Sequence, residues 1–156
     1  MIFVTVGTQE FPFDRLLSGL DGIDEELVVQ GGPSTVRPDG ATWFDYLLYP
    51  EVRKLARRAR VVVCHAGVGS VMTAVAEGKR PIVVPRLKRY NETVDDHQLP
   101  FARRLAEAGL VTLVEDASRL REAIAEPPSA PASLGSGGGL AVDLRAYLES
   151  LATYSR

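Results

Sequence analysis

Val61-Val62-Val63-Cys64-His65-Ala66-Gly67-Val68-Gly69-Ser70 is an unbroken apolar run, then small residues, then the start of an amphipathic segment. A run that is apolar at successive positions suits a strand covered on both faces, as strands of parallel sheets are. Gly67 and Gly69 mark a tight turn, and a helix follows from about Gly69 or Ser70 to residue 77. The stretch therefore reads strand, turn, helix.

The same alternation extends in both directions. Strands are expected at residues 2–6, 26–30, 41–44, 60–64, 81–84 and 111–114, and helices at 13–19, 49–58, 70–77, 95–108, 118–125 and 140–153. This predicts an α/β fold, a Rossmann-like open parallel sheet of about six strands with helices on both faces. Pro100 interrupts the fourth helical segment, which must begin there or kink. Gly78 and Gly109 read as helix C-caps, and Asp116 and Ser118 as N-caps. Residues 1–126 form one domain, and 127–139 are a Pro/Ser/Gly-rich linker. A last helix at 140–156 carries Leu140, Leu144, Tyr147, Leu148 and Leu151 at helical spacing. It packs on the same domain or on a partner.

Composition bounds the function. The chain has 156 residues, 46% hydrophobic and 24% charged, as in ordinary globular domains. A net charge of -2 argues against a nucleic-acid binder held by bulk electrostatics. The single cysteine, Cys64, excludes an intramolecular disulfide and a multi-cysteine metal site, and a reducing, cytoplasmic setting is expected. The N-terminus reads as a first strand, and the apolar runs fall short of the ~20 residues that a membrane helix needs. Membrane association would come from a partner or a surface patch, and residues 12–17 and 43–49 are candidates that core burial explains equally well.

The turn at His65–Ser70 carries the chemistry. The first N–H groups of a helix have no internal acceptor, and the macrodipole adds roughly half a positive charge there. Glycines at 67 and 69 let a phosphate approach those donors, and Ser70 adds a hydroxyl. The dipole alone contributes only about 0.3–2 kcal/mol, so several N–H contacts must share the task. An ordinary βα turn, whose glycines only relieve sterics, is the alternative. Neither G-x-G-x-x-G nor Gly-Lys-Ser/Thr is present.

Gly7-Thr8-Gln9, after the first strand, forms a second glycine turn on the same carboxyl edge, where open parallel sheets bind ligands. The loop from Pro85 to Gln98 is dense in polar groups. Arg86, Lys88 and Arg89 could offset diphosphate charge, while Glu92, Asp96 and Gln98 could bind sugar hydroxyls; otherwise it is a solvated charged loop. His65 and His97 are the only histidines. His65 either takes part in chemistry or orients its turn. His97 is a general base, a sugar ligand or a residue satisfied by the backbone. Cys64 and His65 cannot form a nucleophile pair, because adjacent strand residues point to opposite faces.

These segments resemble the C-terminal, donor-binding domain of glycosyltransferase family 28. The likeness is closest to the short catalytic subunits of two-component transferases, those of bacterial exopolysaccharide and of eukaryotic dolichol-linked N-acetylglucosamine synthesis. It rests on Phe3-Val4-Thr5-Val6-Gly7-Thr8-Gln9, the turn at His65–Ser70, the run from Gly78 to Arg86, and Glu92 followed by Asp95-Asp96-His97-Gln98. It spans roughly residues 1–115.

The resemblance implies half of a GT-B fold holding a UDP-sugar. Gly67, Gly69 and Ser70 would contact the diphosphate, with Gly7 and Thr8 opposite. Asp96, His97 and Gln98 would face the sugar, and Phe44 would border the uracil. Many members carry a ribose-binding glutamate where this chain has Thr73, which cannot clamp two hydroxyls. The candidate donor-binding set is completed by His65, Ala66, Arg86 and Glu92. His65, His97 and Glu92 are the catalytic candidates, and no metal or other cofactor is expected. The implied activity is sugar transfer from UDP to a lipid-linked glycan acceptor, with a membrane-anchored partner subunit. A self-sufficient homodimer and a non-catalytic nucleotide-sugar binding module are the rivals.

Overall fold

The computed structural model describes residues 1–129, so most of the expected linker and the helix at 140–153 lie outside the described residues. The chain runs β1 (Ile2–Thr5), α1 (Asp14–Ser18), β2 (Leu27–Gln30), β3 (Thr42–Phe44), α2 (Tyr49–Arg58), β4 (Val61–His65) and α3 (Val68–Ala76). It continues through β5 (Ile82–Val84), α4 (Gln98–Glu107), β6 (Thr112–Leu113) and α5 (Leu120–Ala125), with short 3₁₀ turns at Lys88–Tyr90 and Ala117–Arg119. The strands form one six-stranded sheet in the order β3-β2-β1-β4-β5-β6. Every pairing is parallel, with β1 in the centre facing Leu27–Gln30 on one side and Val61–Cys64 on the other.

Strand periodicity distributes the apolar residues to two faces. Ile2, Val4, Leu27, Val29, Val61, Val63, Ile82 and Val84 meet Leu16 and Leu17 of α1 and Leu120 and Ile124 of α5. Their neighbours Phe3, Val28 and Val62 pack on Ala56 of α2 and Ala74 of α3. Cys64 and Val83 pack on Val71 and Val75 of α3 and Phe101 and Leu105 of α4. Continuous apolar strands thus have helices on both faces, as expected. Full burial of such a side chain contributes about 1.5–3 kcal/mol.

Two helix starts differ from the sequence expectation. α3 begins at Val68, because Gly67 is extended (φ -80°, ψ 134°) and its carbonyl already accepts the first helical bond, from Val71 N at 3.0 Å. Gly69 and Ser70 therefore sit inside the first turn rather than before it. α4 begins at Gln98, which makes Pro100 its third residue. There the missing N–H has no helical acceptor to lose, so the helix neither starts at the proline nor breaks. Gly78 and Gly109 take left-handed φ of 75° and 74° after their helices, and the Asp116 side chain accepts from Ser118 N.

Candidate functional site

The chain works outward from β1 to β3, then returns to β4 and proceeds the other way. At this reversal the segments leaving β1 and β4 diverge, which opens a crevice at the carboxyl edge of the sheet. A cavity of about 780 Å³ lies there. One side is the turn Gly7, Thr8 and Gln9; another is His65, Gly67, Gly69 and Ser70. Met72, Thr73 and Ala76 of α3 face Leu47, Tyr49 and Val52 at the start of α2, above a floor of Thr5 and Gln30. The structure brings together Gly7, Thr8, His65, Gly67, Gly69, Ser70 and Thr73 of the candidate set.

The two glycine turns meet through one imidazole. Gly7 has φ +80°, and a Cβ there would lie 2.3 Å from His65 Nε2. A Cβ on Gly67 would lie 2.0 Å from His65 Cε1. Both glycines are needed to seat the ring. Gly69 differs, because a Cβ there meets nothing within 4 Å. Its lack of a side chain keeps the space before the α3 N-terminus open. The N–H groups of Val68, Gly69 and Ser70 have no acceptor within the helix, so free donors stand at the edge of the cavity.

His65 is 7% exposed. Burial, assisted by the nearby Arg86 charge, lowers its pKa from 6.5 to about 3, so the ring is neutral at ordinary pH. Its Nε2 lies 3.0 Å from Ser70 Oγ, and its Nδ1 lies 3.4 Å from Gln98 Nε2. A ring so engaged is poorly suited to act as a general base. Cys64 belongs to the core, and burial pushes its thiol up to about 12, which leaves no thiolate nucleophile.

The polar loop after β5 departs most from expectation. Arg86 is 0% exposed. Its guanidinium donates to four backbone carbonyls, those of Phe11, Pro12, Glu92 and Val6, at 2.9, 3.3, 3.0 and 2.7 Å. It also lies 4.6 Å from the centre of the Phe13 ring. Burial lowers its pKa to about 10, against the opposing charge of Glu92, and it remains a cation. Its Nε is left without a partner, and the side chain does not line the cavity; it shapes the segment that carries Gly7.

Glu92 is buried and takes Arg15 Nε and Nη2 on its two oxygens at 2.8 and 2.9 Å, with Leu87 N also donating at 3.0 Å. Three internal donors hold the carboxylate inside the fold, and it does not line the cavity. Gln98 is also buried, and its Oε1 accepts from Ala66 N and Arg86 N, each at 3.1 Å. It ties the ends of β4 and β5 together beside His65 and does not line the cavity. Ala66 is buried with its N–H so engaged, and it does not line the cavity.

Asp96 is exposed and accepts from Lys88 N at 2.8 Å, and His97 is half-buried with Nδ1 on the Asp95 carboxylate. Neither lines the cavity, nor does Phe44, which is exposed on the outer strand β3. Thr73 does line it, and its hydroxyl donates to Gly69 O at 2.7 Å. It can therefore accept one ligand hydrogen bond but has no proton left to offer.

Sequence reasoning missed Gln30, Thr5, Leu47, Tyr49, Val52, Met72 and Ala76. Gln30 is 3% exposed, its Nε2 donates to Gly7 O at 3.3 Å, and its Oε1 has no partner. Thr5 and Gln30 are register partners at the last positions of β1 and β2. A polar residue ending a buried strand on the ligand edge was the available signal. Among the described residues no group of three or more His, Cys, Asp or Glu could hold a metal ion. No described helix is long and apolar enough to cross a membrane.

Known proteins resemble this chain in sequence and in fold. The human UDP-N-acetylglucosamine transferase subunit ALG13 is 30% identical over 123 residues, which cover 69% of this chain and 10% of that protein. The mouse protein of the same name gives 30% over 122 residues, so the chain spans about a tenth of the length of these relatives. The Yarrowia lipolytica subunit is 44% identical over 48 residues, 31% of this chain and 22% of that protein. Among solved structures, the calicheamicin glycosyltransferase CalG4 aligns with TM-score 0.58 and 18% identity, over 97% of this chain and 44% of that one. The glycotransferase of kitacinnamycin aligns with TM-score 0.59 and 21% identity, over 94% and 39%. These two share the fold, a Rossmann-like half of a GT-B glycosyltransferase. The family described as glycosyltransferase family 28 C-terminal domain matches residues 1–134, and with that match over most of its length this chain belongs to the family.

Proposed function

We propose that this chain is the donor-binding subunit of a glycosyltransferase that takes a sugar from UDP and passes it to a lipid-linked glycan acceptor. The observation that carries the reading is the convergence of the α3 N-terminus, Ser70 and the two glycine turns on one crevice at the β1/β4 reversal. The N–H donors of α3 would hold the diphosphate, while the slot between α2 and α3, walled by Leu47, Val52, Met72 and Ala76, would take the nucleoside. The unpartnered Oε1 of Gln30 supports a ligand with a donor group there, since a buried acceptor without a partner costs about 1–3 kcal/mol.

In the transfer step the bond from anomeric carbon to diphosphate oxygen breaks and charge collects on the departing UDP. Preorganised N–H groups and the Ser70 hydroxyl stabilise that charge without moving. Of the candidate bases, Glu92 and His65 are occupied inside the fold, and His97 pairs with Asp95 outside the cavity, so the base that takes the acceptor proton would come from a second subunit. That subunit would also bring the lipid-linked acceptor and the membrane. The relatives named as transferase subunits agree with a two-component arrangement.

Calorimetry with UDP and UDP-sugars tests the site. Saturable binding below millimolar concentration is expected, and no binding at millimolar concentration, with the partner present, overturns the reading. Turnover by the purified chain alone would replace the two-subunit reading with a self-sufficient homodimer. Binding without turnover beside its partner would leave a nucleotide-sugar binding module.

A further inference from the structure

We infer that Gln98 is a positioning residue: it fixes the His65 ring as the tautomer protonated on Nε2, so that Ser70 receives a hydrogen bond from the ring and turns its own proton towards the crevice. The consequence for a ligand rests on the diphosphate reading above; the state of the ring does not.

The argument begins with the amide of Gln98. Its Oε1 lies 3.1 Å from both Ala66 N and Arg86 N. Both neighbours are donors, so the amide cannot be turned the other way without setting an NH₂ group against two N–H groups. The remaining atom, Nε2, is a donor only, and it lies 3.4 Å from His65 Nδ1. Nδ1 must therefore accept, and in a neutral ring the proton sits on Nε2. That atom lies 3.0 Å from Ser70 Oγ.

Ser70 Oγ then uses a lone pair on the ring, and its single hydrogen is directed elsewhere. Ser70 lines the crevice beside the free N–H groups of α3. The opposite tautomer would have the serine give its proton to the ring, presenting an oxygen lone pair to an incoming phosphate. One proton position thus decides whether Ser70 adds a donor to the N–H groups of the turn or sets a lone pair among them. The ring is wedged between Gly7 and Gly67, where a Cβ on either would lie within 2.3 Å of it, which holds it in line with both partners. Gln98 touches no part of the crevice; it acts through His65.

Nitrogen-detected NMR of the His65 ring in the full chain, without ligand, reads the tautomer directly. Protonation on Nε2 from pH 5 to 8 is expected; a ring protonated on Nδ1 overturns the inference. In Gln98→Glu the carboxylate still accepts from Ala66 and Arg86 but has no proton to give. At pH 8 the ring proton should then appear on Nδ1, and an unchanged spectrum in that folded variant counts against the inference. If Gln98→Glu does not fold, the wild-type spectrum decides alone.

A double-mutant cycle reads the ligand side. Ser70→Ala should weaken UDP binding about tenfold in the wild type, as loss of a hydrogen bond to a charged group does, but less than about twofold in the Gln98→Glu background. Equal losses in both backgrounds sink the proposal that the serine proton is directed by Gln98. Absence of UDP binding to the wild type would instead defeat the donor-subunit reading, and the ring spectrum would still decide the tautomer.

Discussion

Two segments leave the same edge of the sheet, and they use polarity in opposite ways. The turn after β4, residues 66–70, has no formal charge, yet it is the segment that opens onto the crevice. The loop after β5, residues 85–97, holds arginine, lysine, glutamate and aspartate, yet its strongest groups face inward. Arg86 binds carbonyls, and Glu92 binds Arg15 and a backbone N–H. A charge buried in a fold must be matched there, and once matched it has little left for a ligand. Backbone donors at a helix start are left unmatched by geometry. Density of charge in the sequence therefore does not mark the groups that open onto the crevice, since most of the hydrogen-bonding capacity of Arg86 and Glu92 is spent inside the fold.

The contrast is broken most severely at Arg86. Arg86→Met should lower stability by about 3–5 kcal/mol in urea denaturation, because four carbonyls lose their donor and Glu92 loses a compensating charge. A loss below about 1 kcal/mol would return Arg86 to the list of ligand-binding residues.

Next comes the ring that joins the two turns. The folded pKa of His65 is about 3, below the 6.5 of the unfolded chain. As pH falls, the unfolded state takes up the proton first, so this contribution to stability is full above pH 6.5 and drains away towards pH 3. The slope approaches about 1.4 kcal/mol per pH unit. Urea titrations of wild type and His65→Gln at several pH values isolate it: the difference in slope should vanish above neutrality and grow on acidification.

The glycines sharpen the comparison, since binding and folding should separate at one and not at the other. Gly69→Ala meets no atom of the protein and sits within α3, so stability should hold or rise by about 0.5–1 kcal/mol. UDP affinity should nevertheless fall roughly tenfold, about 1.4 kcal/mol. Gly67→Ala drives a methyl into the His65 ring and should damage both. Parallel thermal melts and calorimetry distinguish them. The smallest effect is expected from the exposed cations of the charged loop. Lys88→Met and Arg89→Met should change UDP affinity by less than about twofold at physiological salt, where screening weakens surface charges.

Much of the fold was legible before any coordinates. Continuous apolar runs such as Val61-Val62-Val63 require cover on both faces, and glycines such as Gly78 and Gly109 punctuate the helices, so the parallel α/β sheet followed from local pattern. The strand–turn–helix at residues 61–76 was legible for the same reason: helix-start donors are a property of a few adjacent residues. The charged loop was not. Its reading depended on which way Arg86, Glu92 and Gln98 face, and their partners Val6, Phe11, Arg15 and Ala66 lie far away in the chain.

The sequence by itself determined the strands, the helices, the two glycine turns and the edge on which they lie, because each rests on backbone preferences and periodicities acting over a few residues. Tertiary structure alone decided that His65 is neutral and wedged between those turns, that Arg86 and Glu92 are internal, and that Gln30 and the start of α2 complete the crevice. Those outcomes turn on burial and on partners distant in sequence, and desolvation is a property of the packed whole that no single segment carries.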